Sequence, residues 1–323
     1  MKFAGIIAEY DPFHNGHAWQ LAQAKALGAE RVAVAMSCSL VQRGALPLLP
    51  EAVRTRSALT CGADLVFALP APCACAGAEA FARAGVALLA AAGCDGLVFG
   101  AETPDAALLM EAAELLDSDP YRAALKAQLA GGARSFAAAR QAAAAKLASD
   151  ERVAALLDKP NNNLAVEYCR AIRSLAPRME AYPLPRQGAN HGEALHSAHG
   201  QFASASALRK LWAEGGADAV APYVPEAVFP LYQEAYAAGQ YTDFSVAGRC
   251  ELALLRSACR GKAPFADIRG VSEGLEHRLE AAVRTSTTYD ELLDALTTVR
   301  YPRARMRRLA MDAALGFTAD SLP

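Results

Sequence analysis

Residues 3–17 read FAGIIAEYDPFHNGH. Phe3 to Ala8 is an unbroken apolar run rich in branched residues, the pattern of a strand buried on both faces. A turn with a proline, a glycine and two histidines follows. Residues 17–28 then place Leu21, Ala24 and Leu27 on one face of a helix. A helix that starts there turns its unpaired backbone N–H groups and positive dipole end toward the strand end, a setting for an anion, phosphate above all. Gly16 lets a ligand approach the backbone closely. His14 and His17 add side-chain donors suited to negative charge that grows on phosphoryl oxygens during reaction. The plainer alternative is that both imidazoles only cap the helix.

The pattern repeats outward from this unit. RVAVAM (31–36), DLVFAL (64–69) and GLVFG (96–100) read as strands, with helices over 51–61 and 77–92 between them. Apolar strands alternating with helices predict a parallel sheet covered on both faces. In such a sheet the ligand site lies beyond the carboxyl ends of the strands, and the unusual loops, 9–17, 37–44, 70–77 and 100–104, all follow strands. Residues 105–157 are alanine-rich and predict a helical insertion. KPNNNLAVEYCRAI (159–172) reads as a helix opened by an asparagine cap after a proline. MEAYPL (179–184) is a fifth strand, and ASASALRKLW (203–212) a helix with serines at its start. From residue 214 onward only helical patterning and turns are legible.

The 323 residues are 53% hydrophobic and 20% charged with a net charge of -2, so a sizeable core is expected and no global basic signal for nucleic acid. No apolar run reaches the roughly 18 residues of a membrane span, and MKFAGIIAEY is too quickly followed by acids to read as a signal peptide. The eight cysteines show no paired C-x-x-C spacing, which points to reduced thiols in a cytoplasmic protein and away from zinc. Cys38 in MSCSLV as a nucleophile is the weaker alternative. His191, His196 and His199 fall in one loop without a specific zinc spacing, so no metal site is expected. RYPRARMRR sets Arg300, Arg303, Arg305, Arg307 and Arg308 within nine residues beside Tyr301, a patch able to contact an RNA backbone. A solvated helix face neutralised by the neighbouring YDELLDAL is the alternative. Gln42 and Arg43 in VQRG either bind substrate or RNA, or brace their loop.

HNGH after a hydrophobic strand resembles the signature of the HIGH-type nucleotidyltransferases. GIIAEYDPFHNGH, SLVQRGALP, GADLVFALP, VFGAE, PNNNLAVEY, ASASALRK and SEGLEHRL, in that order, resemble the bacterial tRNA(Met) cytidine acetate ligase family from residue 2 to about 315. The resemblance implies a Rossmann-like doubly wound parallel α/β sheet with a helical C-terminal domain. Residues 1–213 would be the ATP-binding catalytic domain and 214–323 an all-α domain for tRNA. It implies ATP, with magnesium on its phosphates, and acetate as substrates. Acetyl-adenylate would form and pass its acetyl group to N4 of the wobble cytidine of elongator tRNA(Met). The ATP loop falls on Ile7, Ala8, Glu9, Tyr10, Asp11, Pro12, Phe13, His14, Asn15, Gly16, His17, Ala18, Trp19 and Gln20, with His14 and His17 catalytic. Gly100, one of Asn161 and Asn162, and Arg186 in PLPRQG match further nucleotide contacts. Ser204, Ser206 and Arg209 match a second element that would meet the leaving pyrophosphate. His191 matches a histidine that follows the arginine in the family.

Four positions depart from that pattern. Asp11 stands for asparagine, where a carboxylate would repel triphosphate unless magnesium or a lysine intervenes. Cys38 stands for glycine, Glu51 for lysine and Ala52 for an aromatic. A small-molecule adenylyltransferase with the same turn, or an RNA-binding protein without catalysis, are the competing readings.

Overall fold

The computed structural model describes residues 1–185, 195–197, 200–261 and 263–321, with side chains omitted at 195–197, 200 and 201. Five parallel strands, β1 (Phe3–Ala8), β2 (Arg31–Ser37), β3 (Leu65–Leu69), β4 (Gly96–Ala101) and β5 (Glu180–Pro185), lie in the order β3-β2-β1-β4-β5. Phe3 pairs with Arg31 and Ala8 with Met36, while Gly100 pairs with Leu184 on the other side. The order reverses between β1 and β4, so a crevice opens beyond their carboxyl ends. A short antiparallel hairpin, β6 (Leu195–Ser197) and β7 (Gly200–Phe202), follows the sheet.

Helices fill the crossovers: α1 (Asn15–Ala26), α2 (Glu51–Thr60), α3 (Ala71–Ala74) and α4 (Ala78–Ala91). The alanine-rich stretch forms α5 (Ala106–Asp117), α6 (Asp119–Ala130), α7 (Phe136–Leu147) and α8 (Glu151–Leu156), and α9 (Pro160–Leu175) leads back to β5. Beyond the hairpin come α10 (Ala205–Val220), α11 (Phe229–Ala237), α12 (Phe244–Ala258), α13 (Leu275–Thr285), α14 (Tyr289–Leu296) and α15 (Arg303–Leu315).

Alternate strand residues face opposite ways, and both faces are buried. Phe3, Leu97 and Phe99 join Phe81, Leu89 and Val166 on one side. Ala4, Ile6, Val34 and Val98 join Leu21, Leu208, Trp212 and Tyr232 on the other. Gly85 lets α4 lie against β1, because a Cβ there would stand 2.5 Å from Ile7 Cδ1; alanine at that position would cost about 1–3 kcal/mol in overpacking.

Three local expectations change. Helix α1 starts two residues earlier, because His14 rather than a later residue is its N-cap. Helix α9 has no asparagine cap: Lys159 takes that place, Pro160 opens the helix, and the asparagines lie inside the first turn. The expected domain division at 213/214 falls inside α10, whose Trp212 and Val220 belong to the sheet's core. A separate helical core begins later, with Leu252, Leu255, Leu279, Leu292 and Met306.

That helical unit is locked to the sheet. Arg269 pairs with both oxygens of Asp312 at 2.7 and 2.6 Å, and donates to the carbonyls of Cys75 (3.0 Å) and Pro72. Gly44, at φ +74, lies so close to α15 that a Cβ would stand 2.6 Å from the Arg308 backbone nitrogen. The loop after β2 thereby rests on the arginine-rich helix.

Candidate active site

The two histidines build the start of α1. His14 Nδ1 accepts from Gly16 N–H at 3.0 Å, and His17 Nδ1 accepts from His14 N–H at 3.2 Å. This is a capping box made of imidazoles, the arrangement usually made by serine and glutamate. Nδ1 can accept only when it carries no proton, so the network assigns the hydrogen of each neutral ring to Nε2. The rings stack at 3.7 Å. Nδ1 of each ring thus holds the start of the helix. Tyr10 and Phe13 pack edge-on and tilted against His17, at 4.8 and 5.6 Å. Tyr10 adopts φ +49, a left-handed conformation costly for a bulky residue. Its hydroxyl is buried without a partner among the described residues, and burial raises the phenol pKa well above its ordinary value.

Beneath the turn, polar groups pair closely. Asp11 is buried; Oδ1 accepts from Leu48 N–H at 2.6 Å and Oδ2 meets Arg209 Nη1 at 2.9 Å. The repulsion expected of this carboxylate is thus answered by an arginine and a backbone amide. Arg209 also donates to the Asp11 carbonyl at 2.6 Å; burial lowers its pKa, with Arg43 a further like charge. Arg54, fully buried on α2, donates to the carbonyls of Glu9 (2.7 Å), Ser37 (2.6 Å), Leu49 (2.9 Å) and Cys38. It ties the ends of β1 and β2 to the chain that follows. Gln20 donates to the Val98 carbonyl at 3.1 Å, and the Phe13 carbonyl accepts from Tyr232 at 2.7 Å. Much of the predicted ATP loop is therefore scaffold.

Across the crevice, Gly100 is exposed at the end of β4. Glu102, just beyond it, accepts from Asn161 N–H (3.2 Å) and Nδ2 (2.6 Å) and from Asn162 N–H (2.7 Å), so a carboxylate serves the positive end of α9. Asn162 is buried, its amide exchanging bonds with Thr103 N–H (2.9 Å) and Oγ1 (3.1 Å). Asn161 is the more exposed of the two. Ser204 caps α10 by accepting from Ala207 N–H at 3.2 Å, with Ser206 Oγ at 3.0 Å. Phe202, two residues earlier, lies against Gly16: a Cβ on that glycine would stand 3.6 Å from the Phe202 ring.

A cleft of about 1240 Å³ opens between the sheet and the helical unit. Arg43, Arg209, Lys210, Arg249 and Arg307 line it, along with Tyr241, Phe244 and Leu254. It adjoins the histidine turn through Asp11 rather than containing it. Arg249, Arg307 and Lys210 have no carboxylate within 4 Å among the described residues. The arginine run does not form one face. Arg300 pairs with Glu273 at 2.6 Å, and Arg303 with Asp290 (2.6 Å) and Asp294 of α14. Arg305 lies over the Tyr301 ring at 5.0 Å. Arg308 donates to the Gln42 carbonyl at 3.3 Å, and burial lowers its pKa. Arg307 alone of the five reaches the cleft.

Known proteins share this fold. The profile described as HIGH Nucleotidyl Transferase matches residues 1–323. A tRNA(Met) cytidine acetate ligase of Acetivibrio thermocellus is 33% identical over 333 residues, spanning 100% of this chain and 79% of its own length. One of Syntrophotalea carbinolica is 36% identical over 314 residues, spanning 96% and 73%. The chain belongs to the tRNA(Met) cytidine acetate ligase family. Crystal structures of Thermotoga maritima TmcAL agree, at 30% identity: the apo form has a TM-score of 0.91 over 99% of this chain and 77% of that one, and the form bound with alpha-thio ATP 0.88.

Within this acetate ligase family member, sequence reasoning missed Arg54 and Glu102, which organise the two sides of the crevice, and Lys210 and Arg249 of the cleft. Arg54 left one signal: it sits on the same helical face as Val53, Ser57 and Ala58, all buried. Arg186, His191 and His199 lie outside the described residues, as does the His196 side chain. Cys38 donates to the Leu69 carbonyl at 3.2 Å. Burial pushes the Cys75, Cys94 and Cys169 thiols up to about 12, the reverse of a nucleophile's setting. Glu51 and Ala52 are exposed at the start of α2. Among the described residues no cluster of three metal-binding side chains occurs, and no helix is long and apolar enough to cross a membrane.

Proposed function

We propose that the chain uses ATP to activate acetate as acetyl-adenylate and transfers the acetyl group to N4 of the wobble cytidine of elongator tRNA(Met), in the cytoplasm. The observation that carries this reading is the imidazole capping box, which fixes both histidines at a helix N-terminus directly beyond the carboxyl end of β1. Acetate attacks the α-phosphorus and the bond to pyrophosphate breaks. The Nε2–H groups of His14 and His17 and the amides of α1 follow the charge that grows on the phosphoryl oxygens. Gly100 and Asn161 border the nucleoside; Asn162 is held by Thr103 and acts through the backbone. Ser204, Ser206 and Arg209 face the departing pyrophosphate, with Arg186 beside them by resemblance. Arg209 keeps Nε and Nη2 for this, since Asp11 takes only Nη1. Magnesium enters with the triphosphate as part of the substrate, because every oxygen of Asp11 and Glu102 already accepts a hydrogen bond.

The tRNA reading moves from a surface patch to the cleft. Arg43, Arg209, Lys210, Arg249 and Arg307 supply phosphate contacts, while Tyr241 and Phe244 offer faces on which unpaired bases stack. The catalytic unit is the sheet with α1 to α11, and the RNA-facing unit runs from α12 onward. The test is an assay with ATP, magnesium, labelled acetate and elongator tRNA(Met), each left out in turn. Label in tRNA as N4-acetylcytidine, with AMP formed, supports the ligase. ATP consumption with label in another acceptor supports a small-molecule adenylyltransferase instead.

A further inference from the structure

We infer that Glu9 is the general base that takes the proton from cytidine N4 as the amine attacks the acetyl carbon, an inference that rests on the ligase reading above. The exocyclic amine of cytidine is conjugated with its ring and is a weak nucleophile, so a base within reach of its proton has work to do even on an activated acyl group. In the step, the N4–carbon bond forms and the acyl carbon–oxygen bond to AMP breaks. The electron pair leaves with the AMP phosphate oxygen, and the N4 proton passes to Glu9 Oε2.

Geometry singles out this carboxylate. Glu9 directly follows β1 and precedes His14 by five residues. Its side chain leans toward the loop after β2, where Oε1 accepts from Gln42 N–H at 2.6 Å. Oε2 has Arg43 Nη2 at 3.7 Å, beyond hydrogen-bond distance, and the side chain is 22% exposed. The other candidate bases beside the turn are occupied. Both oxygens of Asp11 accept hydrogen bonds. So do both oxygens of Glu102. Nδ1 of His14 and of His17 each accept a backbone N–H. Arg43 also lines the cleft, so Glu9 stands where a cytidine delivered from the cleft meets an acyl-adenylate held at the turn. The charged groups around it are Arg43, Asp11, Arg209 and Arg54, and the Tyr168 phenol also feels its charge. Burial raises its pKa against the pull of Arg43, which moves it toward the range of a working base.

Glu9→Gln tests this, because its amide oxygen still accepts from Gln42 N–H. Two rates are read on the full chain: acetate-dependent ATP–pyrophosphate exchange, and acetyl transfer to elongator tRNA(Met). The ratio of transfer to exchange should fall by about 100-fold or more. The wild type should lose transfer as pH falls through the Glu9 pKa, an acidic limb absent from Glu9→Gln, and Glu9→Asp should recover part of the transfer. Transfer at the wild-type rate in Glu9→Gln, or transfer and exchange falling together, would overturn the assignment. A wild type that neither exchanges nor transfers would remove the ligase reading, and this inference with it.

Discussion

The histidine turn and the arginine run are the two densest concentrations of chemistry in the chain, and they fold in opposite ways. At the two histidines the capping partners are local: His14 bonds to Gly16 and His17 to His14, within three residues. In residues 300–308 the partners are distant: Glu273, Asp290, Asp294 and Gln42 each claim an arginine from elsewhere in the chain. A motif whose geometry is made by its own backbone keeps its chemistry wherever the strand and helix form. A run of charges keeps only what its tertiary neighbours leave. One arginine of the run, Arg307, reaches the cleft, where Arg43, Arg209, Lys210 and Arg249 from other segments join it.

The sharpest way to break this comparison is at His17. His17→Gln retains an acceptor for the His14 N–H, as glutamine does in an ordinary capping box, but removes the imidazole. Acetate-dependent ATP turnover should drop by about 100- to 1000-fold with the melting temperature and tRNA binding little changed. Equal losses of stability and activity would mean that the ring serves only the cap.

Arg54→Met probes the scaffold below the turn. Four carbonyls lose their shared donor inside the protein, and stability should fall by about 3 kcal/mol in denaturant unfolding. A near-neutral result would show that water replaces the guanidinium.

Glu251, on the cleft wall, is raised to about 7 by burial, against the hydrogen bond from Tyr289. Its folded pKa exceeds its unfolded value, so the folded state binds the proton more tightly. The stability it contributes is full below the unfolded carboxylate value near 4.5 and is lost as pH rises through about 7. Glu251→Gln should therefore be about 3 kcal/mol more stable than the wild type at pH 8, and match it at pH 4. Equal stabilities at both values would rule out the buried charge.

The smallest contrast is between arginines. Arg249→Ala with Arg307→Ala should lower the salt slope of tRNA binding by about 1.4, two single-strand phosphate contacts. Arg303→Ala, already paired twice, should leave it unchanged. A slope that falls for Arg303 instead would return the RNA to the surface patch.

The alternation of apolar strands and helices, the loops that follow strands and the helix start at the histidine turn were legible in the sequence because each depends on residues within one or two turns of each other. Period and propensity act over that range, and so does the reach of His14 to Gly16. The asparagine cap of α9 was misread for the same reason. Local preference favoured Asn161 and Asn162 as caps, but Pro160 fits the first helical position, and Glu102 supplies the acceptor from 60 residues away.

What the chain's own order of residues determined is the β1–α1 unit and the parallel sheet around it, since hydrophobic period and helix-end chemistry are short-range. Only the tertiary structure decided that Asp11 is neutralised by Arg209, that Arg54 is a buried clamp, and that the cations of the cleft come from five separate positions. Those pairings join residues up to 198 apart, and electrostatics in a buried setting depend on which charges the fold brings within a few ångströms, a quantity no local pattern encodes.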